Sequence, residues 1–384
     1  MSSIRLLLGG DVCPIGRHTA AFCAGDLPAL WGDFLPLMQT ADLVAVNLEC
    51  PVIDRPAPIA KTGPVLAGPP QSLAGLAGAN VSLVALANNH IMDHGPSGLQ
   101  STLDACRRAN LLTFGAGTDL ATARRLLIVP IQGVRVAFLA MAEHEWSVAS
   151  PATPGANPLD PVGFVRQIQA AKGTFDYMVV FLHAGAEMYP YPTPALQDFC
   201  HFLVEQGAGL VLCQHSHCLG CAETYAGGTI LYGQGNLLFD SPDRPPAWHH
   251  GVWVEVRLDA NLRPAVSFLW YRQSVGAQGL SAVPPSDLVT LQSEFSARSA
   301  ELADFSKIHA RWAAHCAAQA SYVLASALGH GPNLRRLTRR RGVLPLLYSP
   351  AALRDVWNCV RCETHRELLL GVFESVFSTS PGTS

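Results

Sequence analysis

Residues 177–217 read YMVVFLHAGAEMYPYPTPALQDFCHFLVEQGAGLVLCQHSH. Tyr177–Leu182 is an uninterrupted apolar run of strand-forming residues, as in a strand buried on both faces. Ala195–Gln206 carries its apolar residues at helical spacing. Leu210–Leu212 is a second apolar run. Strand, helix and strand in this order indicate a layered α/β fold. Both runs stop at polar residues: His183 closes the first, and His215 and His217 follow the second.

The alternation extends in both directions. Strands are predicted at Ile4–Leu8, Leu43–Val46, Val81–Leu86 and Val134–Ala140, and helices at Leu30–Gln39, Gly98–Ala109 and Val162–Ala171. Thr229–Tyr232 and Gly251–Leu258 alternate more and predict antiparallel or edge strands. Pro51–Pro70 is a long proline-rich loop containing Lys61, and loops of that length in a compact domain are often functional. Ser150–Pro161 is a second loop, after the polar stretch Glu143–Trp146. Beyond about residue 285, apolar residues from Leu288 to Cys316 recur at helical spacing. Ser349-Pro350 reads as an N-cap with proline at the first helical position, opening a helix to about Phe377. Between them lies a basic run, Arg335–Arg341, read as a solvated loop. The domains expected are residues 1–280 and a helical extension, 285–384.

The chain has 384 residues, 49% hydrophobic and 14% charged, with a formal net charge of −3. That composition supports a sizeable core and gives no global argument for nucleic-acid binding. Eleven cysteines fit a reducing compartment, and an odd number cannot all pair within one chain. Ile4–Leu8 is too short for a signal-peptide core, and no later run reaches the roughly 18 apolar residues of a membrane span. A cytoplasmic protein is therefore expected.

Polar residues recur where the predicted strands stop. Asp11 follows Gly9-Gly10, where it can reach a cation or cap a turn. Cys13 can bind a soft metal as thiolate or be a small buried residue. Glu49, a ligand or a surface charge, follows Asn47, which can orient it. Asn88, Asn89 and His90 end a strand, with Asp93 three residues on. Asn is an oxygen ligand for hard or borderline metals, His is a natural proton donor, and Asp93 can hold His90 in one tautomer. His183 is a ligand or a satisfied core histidine, and Glu187 a support for it or an exposed charge. His215 and His217 would face the same way in an extended segment, the most specific signal in the chain. Asn236 ends YGQGN. Cys218 and Cys221 lie too far along the chain from Cys359 and Cys362 to make a zinc ribbon. Carboxylates, Asn and His together make a mixed oxygen and nitrogen shell suited to Mn, Fe or Zn. Two divalent ions about 3.5–4 Å apart would share a bridging hydroxide, the arrangement used for in-line attack at phosphorus.

The ordered set GDV (10–12), NLE (47–49), NNH (88–90) with Asp93 and Gly95, HAG (183–185), HSH (215–217) and GN (235–236) resembles the bacterial CapA family, linked to capsule and poly-γ-glutamate biosynthesis. That family is similar to the calcineurin-like metallophosphoesterases. The resemblance spans roughly residues 4–275. It implies a four-layer α/β/β/α sandwich, with Asp11, Glu49, Asn89, His183, His215 and His217 as metal ligands and Glu49 bridging. It implies that His90 protonates the leaving group or steadies the transition state. Cys13 stands where the wider superfamily has histidine, Ala184 where the family has tryptophan and Ser216 where it has proline. The C-terminal RCETHRE (361–367) is similar to the ends of some CapA-like proteins. Its Arg361, Glu363, His365 and Arg366 would bind an anionic substrate together with Lys61, Glu143 and His144, or form a solvated helix face.

The function expected is a metal-dependent hydrolase acting on a phosphoester in capsule, polymer or related secondary biosynthesis. The alternatives are amide or acyl chemistry of γ-glutamyl type, and a non-catalytic component of a polymer-making machine. The partner expected is a small-molecule or polymer-derived anion, with no nucleic acid.

Overall fold

The computed structural model describes residues 3–259, 261–275, 279–328 and 348–379. The chain divides into two compact units, Met1–His309 and Ala310–Ser384. Among the described residues the first contains sixteen strands: β1 Ile4–Cys13, β2 Leu43–Leu48, β3 Val81–Ala85, β4 Leu112–Phe114, β5 Ala116–Gly117, β6 Leu127–Ile131, β7 Val134–Ala142, β8 Gly155–Ala156, β9 Tyr177–His183, β10 Leu210–Gln214, β11 Leu219–Tyr225, β12 Gly228–Gln234, β13 Asn236–Phe239, β14 His250–Leu258, β15 Pro264–Gln273 and β16 Leu280–Ala282.

They form two large mixed sheets and a separate antiparallel pair, β5 with β8. The first has the order β16-β15-β14-β1-β2-β3-β4, with β13 also paired to β1; the second has the order β11-β12-β10-β9-β7-β6. In the second sheet β7, β9, β10 and β12 run parallel, and the edge strands β6 and β11 run antiparallel to their neighbours.

The period of two along a strand decides what each face buries. Val179 and Phe181 of β9 join Leu6, Leu8, Val44, Val46 and Leu83 in one core. Met178, Val180 and Leu182 join a second core with Phe164 of helix Pro161–Ala170 and Leu196, Cys200 and Leu203 of helix Pro194–Glu205. Phe114 of the first sheet meets Phe181 edge-on at 5.5 Å and Phe138 at 5.9 Å. Two sheets thus pack face to face with helices outside, the α/β/β/α sandwich expected. Phe181→Ala is expected to cost about 3–5 kcal/mol through a cavity between the sheets, seen as a lower denaturation midpoint with little change in slope.

The element boundaries depart from the sequence in informative ways. β1 continues through Asp11 to Cys13, so Asp11 lies inside the strand. The register of β1 against β2 shifts between Leu8 and Asp11, a bulge that releases β1 from β14 and passes it to β13. β14 is antiparallel but internal, between β1 and β15. The helix expected over Leu30–Gln39 is broken at Gly32, whose φ is +44° and whose missing Cβ would lie 2.2 Å from the Leu280 carbonyl oxygen. Leu288–Cys316 divides into helices Pro285–Glu301 and Phe305–Ala327.

The second unit contains helices Pro350–Arg361 and Glu363–Thr379, which break at Cys362 where a single helix was expected. Ser349 caps the first by accepting from the Ala352 amide (3.2 Å). Arg361 and Glu363 flank the break. Asn358 Nδ2 lies 3.2 Å from His365 Nδ1, and Arg366 donates to the Val360 carbonyl (3.4 Å). Arg335–Arg341 lies outside the described residues. No helix among the described residues is long and apolar enough to cross a membrane.

Candidate metal centre

The bulge in β1 sets Asp11 beside Asn47 of β2 and Asn236 of β13. Gly10 makes the close approach possible, because a Cβ there would sit 2.3 Å from the Gly235 carbonyl oxygen. Asp11 Oδ1 accepts from Asn47 Nδ2 (2.7 Å) and Oδ2 from the His215 amide (3.2 Å). Asn88 donates to Asn47 Oδ1 (3.2 Å) and to the Leu48 carbonyl (2.8 Å), holding the β2 end against the Asn88–His90 turn.

Glu49 follows β2 and is fully buried. Neither of its carboxylate oxygens has a hydrogen-bond partner. His183 Nε2 lies 3.3 Å from Glu49 Oε1 and 3.0 Å from Asn89 Oδ1, and His217 Nε2 lies 3.6 Å from the same Glu49 oxygen. Two sets of ligand atoms converge and share Glu49: Asp11, Glu49 and His183, and Glu49, His215 and His217.

The hydrogen bonds around His217 define its tautomer. Asn236 Nδ2 donates to the His217 and Trp248 carbonyls (3.3 and 3.1 Å), which turns Asn236 Oδ1 toward His217 Nδ1 at 2.8 Å. That oxygen only accepts, so Nδ1 carries the proton and Nε2 presents a lone pair toward Glu49. A buried carboxylate facing an imidazole lone pair is unfavourable unless a proton or a cation lies between them.

Burial pushes every member of the cluster toward its neutral form. Burial raises Asp11 to about 6 against the lowering effect of its hydrogen bonds. Burial and then the neighbouring Asp11 charge hold Glu49 well above the usual carboxylate range. Burial lowers His215 to about 4, and burial with His215 nearby lowers His217 to about 3. Burial also takes His183 well below the ordinary imidazole value. Neutral imidazoles are ready ligands, and a divalent cation reverses the penalty on the carboxylates.

His215 and His217 do not converge through an extended pleat. β10 ends at Gln214, and the two histidines have φ of +83° and +53°. Left-handed backbone at non-glycine residues costs about 1–3 kcal/mol each and clusters at functional sites. The His183 and His215 rings lie 4.8 Å apart, with His215 Nδ1 at 3.2 Å from His183 Nε2.

Beside this cluster His90 Nδ1 lies 2.6 Å from Asp93 Oδ2. Lys61 Nζ donates to Asp93 Oδ1 at 2.6 Å with its side chain 2% exposed, and the Leu66 amide donates to Oδ2 at 2.7 Å. The Pro51–Pro70 loop is thereby stitched to the Asn88–Gly95 turn. Burial works against the Asp93 charge, but the bonds from His90 and Lys61 prevail and hold its pKa below the usual value.

The remaining candidates are placed differently. Cys13 is buried, and its thiol is pushed well up by burial and by the adjacent Cys50; it is not among the converging ligand sets. Glu143 is half-buried, its amide bonding the His183 carbonyl (3.1 Å) and its carboxyl raised by burial against a bond from the Gly185 amide. His144 is exposed, and Glu187 acts on Glu49 through charge. Two contacts escape sequence reasoning. Glu145 Oε1 lies 3.7 Å from His215 Nε2. Trp248 lies against His217 at 4.6 Å between ring centroids, with Phe239 edge-on to His217 at 5.4 Å. Glu145 comes from a loop and Trp248 from a short 3-10 helix, Pro246–His249, where no strand-end signal exists.

Comparison with known proteins places the chain among relatives. The Bacillus anthracis capsule biosynthesis protein CapA is 29% identical over 214 residues, covering 53% of this chain and 52% of that protein. The Bacillus subtilis PGA biosynthesis protein CapA is 32% identical over 209 residues, covering 53% and 55%. The chain thus spans about half the length of the curated relatives it matches. The crystal structure of a hypothetical protein from Thermus thermophilus aligns with TM-score 0.45 and 17% identity, over 70% of this chain and 99% of its own. Residues 5–241, which contain every converging ligand, match the family described as bacterial capsule synthesis protein PGA_cap, and the chain belongs to that family.

Proposed function

We propose that this chain is a metal-dependent hydrolase that cleaves a phosphoester in capsule, polymer or related biosynthesis, with two divalent transition-metal ions held by Asp11, Glu49, Asn89, His183, His215 and His217. The observation that carries the reading is Glu49. Both its oxygens are buried without hydrogen-bond partners, and it belongs to two converging ligand sets. The residues fit Mn, Fe or Zn, with neutral imidazoles, carboxylates and an amide oxygen in one shell. Such ions, when bound, polarise a phosphoryl oxygen and supply a nucleophile at neutral pH.

The chain's own residues contribute the rest. His90 Nδ1–H donates to Asp93, so the imidazole is fixed in one orientation and its Nε2 is left to move a proton. Asp93 stabilises the imidazolium, as carboxylates paired with catalytic histidines do. Lys61 holds Asp93 in place and ionised. Asp93→Asn is expected to lower kcat about a hundredfold or more with little change in KM, checked by steady-state kinetics. A rise in KM of that size with kcat unchanged would place Asp93 in substrate binding.

The test of the reading is phosphate release with added Mn, run beside His217→Ala. Activity in the parent and its loss in the variant support the reading; equal release in both defeats it.

The resemblance to a family linked to poly-γ-glutamate biosynthesis favours a second reading on the same metals, in which the bond is a γ-glutamyl amide or acyl link. Profiling phosphoesters and γ-glutamyl amides side by side separates the two. A non-catalytic component of a polymer-making machine would retain less than one equivalent of metal.

A further inference from the structure

Arg244 lies in the Ser241–Trp248 loop and is exposed. Its guanidinium carbon sits 4.7 Å from the Trp248 ring centroid. Trp248 is 2% exposed and is held from several sides. Its Nε1 donates to the Phe239 carbonyl (2.9 Å), and its own carbonyl accepts from Asn236 (3.1 Å) and Gln273 (3.2 Å). Phe239 packs edge-on against the ring at 5.2 Å, and His217 lies against it at 4.6 Å. The guanidinium and a residue of the metal centre thus contact the same rigid aromatic ring. Stacking on an indole fixes an arginine's plane while leaving its N–H groups to solvent.

The charge around the centre is uneven. Glu145 stands 3.7 Å from His215, and the charges of Glu145 and Glu187 both act on Glu49. Lys61 is already paired with Asp93 inside the site. Among the described residues, no carboxylate lies within ion-pair distance of Arg244. The cation at this rim is thus unneutralised and pre-positioned, while other acidic groups sit close to Glu49 and repel anions.

We infer that Arg244 is the seat for a second anionic group of the substrate, a carboxylate or phosphate one aromatic ring away from the reacting centre. The substrate class is then a phosphoester that carries another anion, rather than a simple monoester. A planar, forked guanidinium recognises either group bidentately. This inference rests on the proposed reaction, because it takes the metal centre as the place where the first anion binds.

The test is binding, so it does not depend on turnover. Mn-loaded protein is titrated calorimetrically with ω-phosphonocarboxylates, from phosphonoacetate to 5-phosphonopentanoate, each beside the alkylphosphonate of equal length. The expected result is that one chain length binds at least about tenfold tighter than its alkylphosphonate. In Arg244→Ala that ratio falls below about threefold, and Arg244→Lys recovers part of it. A ratio near one in the parent, or a ratio kept in Arg244→Ala, overturns the inference while alkylphosphonate binding leaves the metal-centre reading intact. Binding of neither series overturns both.

Discussion

Glu49→Gln is expected to reduce phosphate release at least about a hundredfold without destabilising the metal-free protein. The amide is nearly isosteric with the carboxylate but carries no charge, so it cannot serve two ions at once. Outer partners of metal ligands alone cost 10–100-fold when lost, and a shared ligand costs more. Stability should move the other way. The carboxylate is buried, its oxygens have no hydrogen-bond partner, and Asp11 raises its pKa further after burial. A neutral amide of similar volume does not carry the cost of burying an unpaired charge. Thermal melts in chelator and phosphate release with Mn read the two effects separately. A variant that melts earlier yet keeps its activity would show Glu49 to be a structural acid.

Metal affinity is expected to rise steeply with pH, at least about tenfold between pH 5 and pH 6, because the protons to be displaced sit on carboxyls. Asp11 is raised from 3.8 to about 6 in the folded protein. It holds a proton that the unfolded chain has lost, so its stabilising contribution is complete below pH 3.8 and disappears as pH rises through about 6. His215 and His217 run oppositely, lowered from 6.5 to about 4 and about 3. Their contribution is present above pH 6.5 and is lost as pH falls through their folded values. Above about pH 5 these histidines are already neutral in the folded protein, so binding displaces protons from Asp11 and Glu49. Calorimetry in buffers of different ionisation enthalpy should show proton release on Mn binding that declines as pH rises past about 6. Proton release that is the same in Asp11→Asn would contradict the geometry.

Both results depend on features that differ in how far the sequence exposes them. The runs Tyr177–His183 and Leu210–Gln214 were readable because parallel strands buried on both faces carry continuous apolar sequence. Their terminal histidines stood out for the same reason, as did Asn88–His90. Asp93 at three residues from His90 was legible as its partner, and the observed 2.6 Å contact has that form. What the sequence hid is tertiary. The bulge that carries Asp11 inward depends on pairing with β13, more than two hundred residues later. The left-handed conformations at His215 and His217 have no glycine or asparagine to announce them. The break at Gly32 follows from the close approach of Leu280, which comes from far along the chain. Glu145, Trp248 and Arg244 lie in loops or a short 3-10 turn, where neither periodicity nor strand ends mark a residue, whereas Lys61 was legible from its long proline-rich loop.

Titration of chelator-stripped protein with Mn²⁺, followed by electron paramagnetic resonance, decides whether two ions share Glu49. Two tight equivalents are expected, with a spin-coupled signal from ions sharing Glu49 that is lost in Glu49→Gln. One equivalent or fewer, or two uncoupled ions unaffected by that substitution, would contradict the sharing of Glu49.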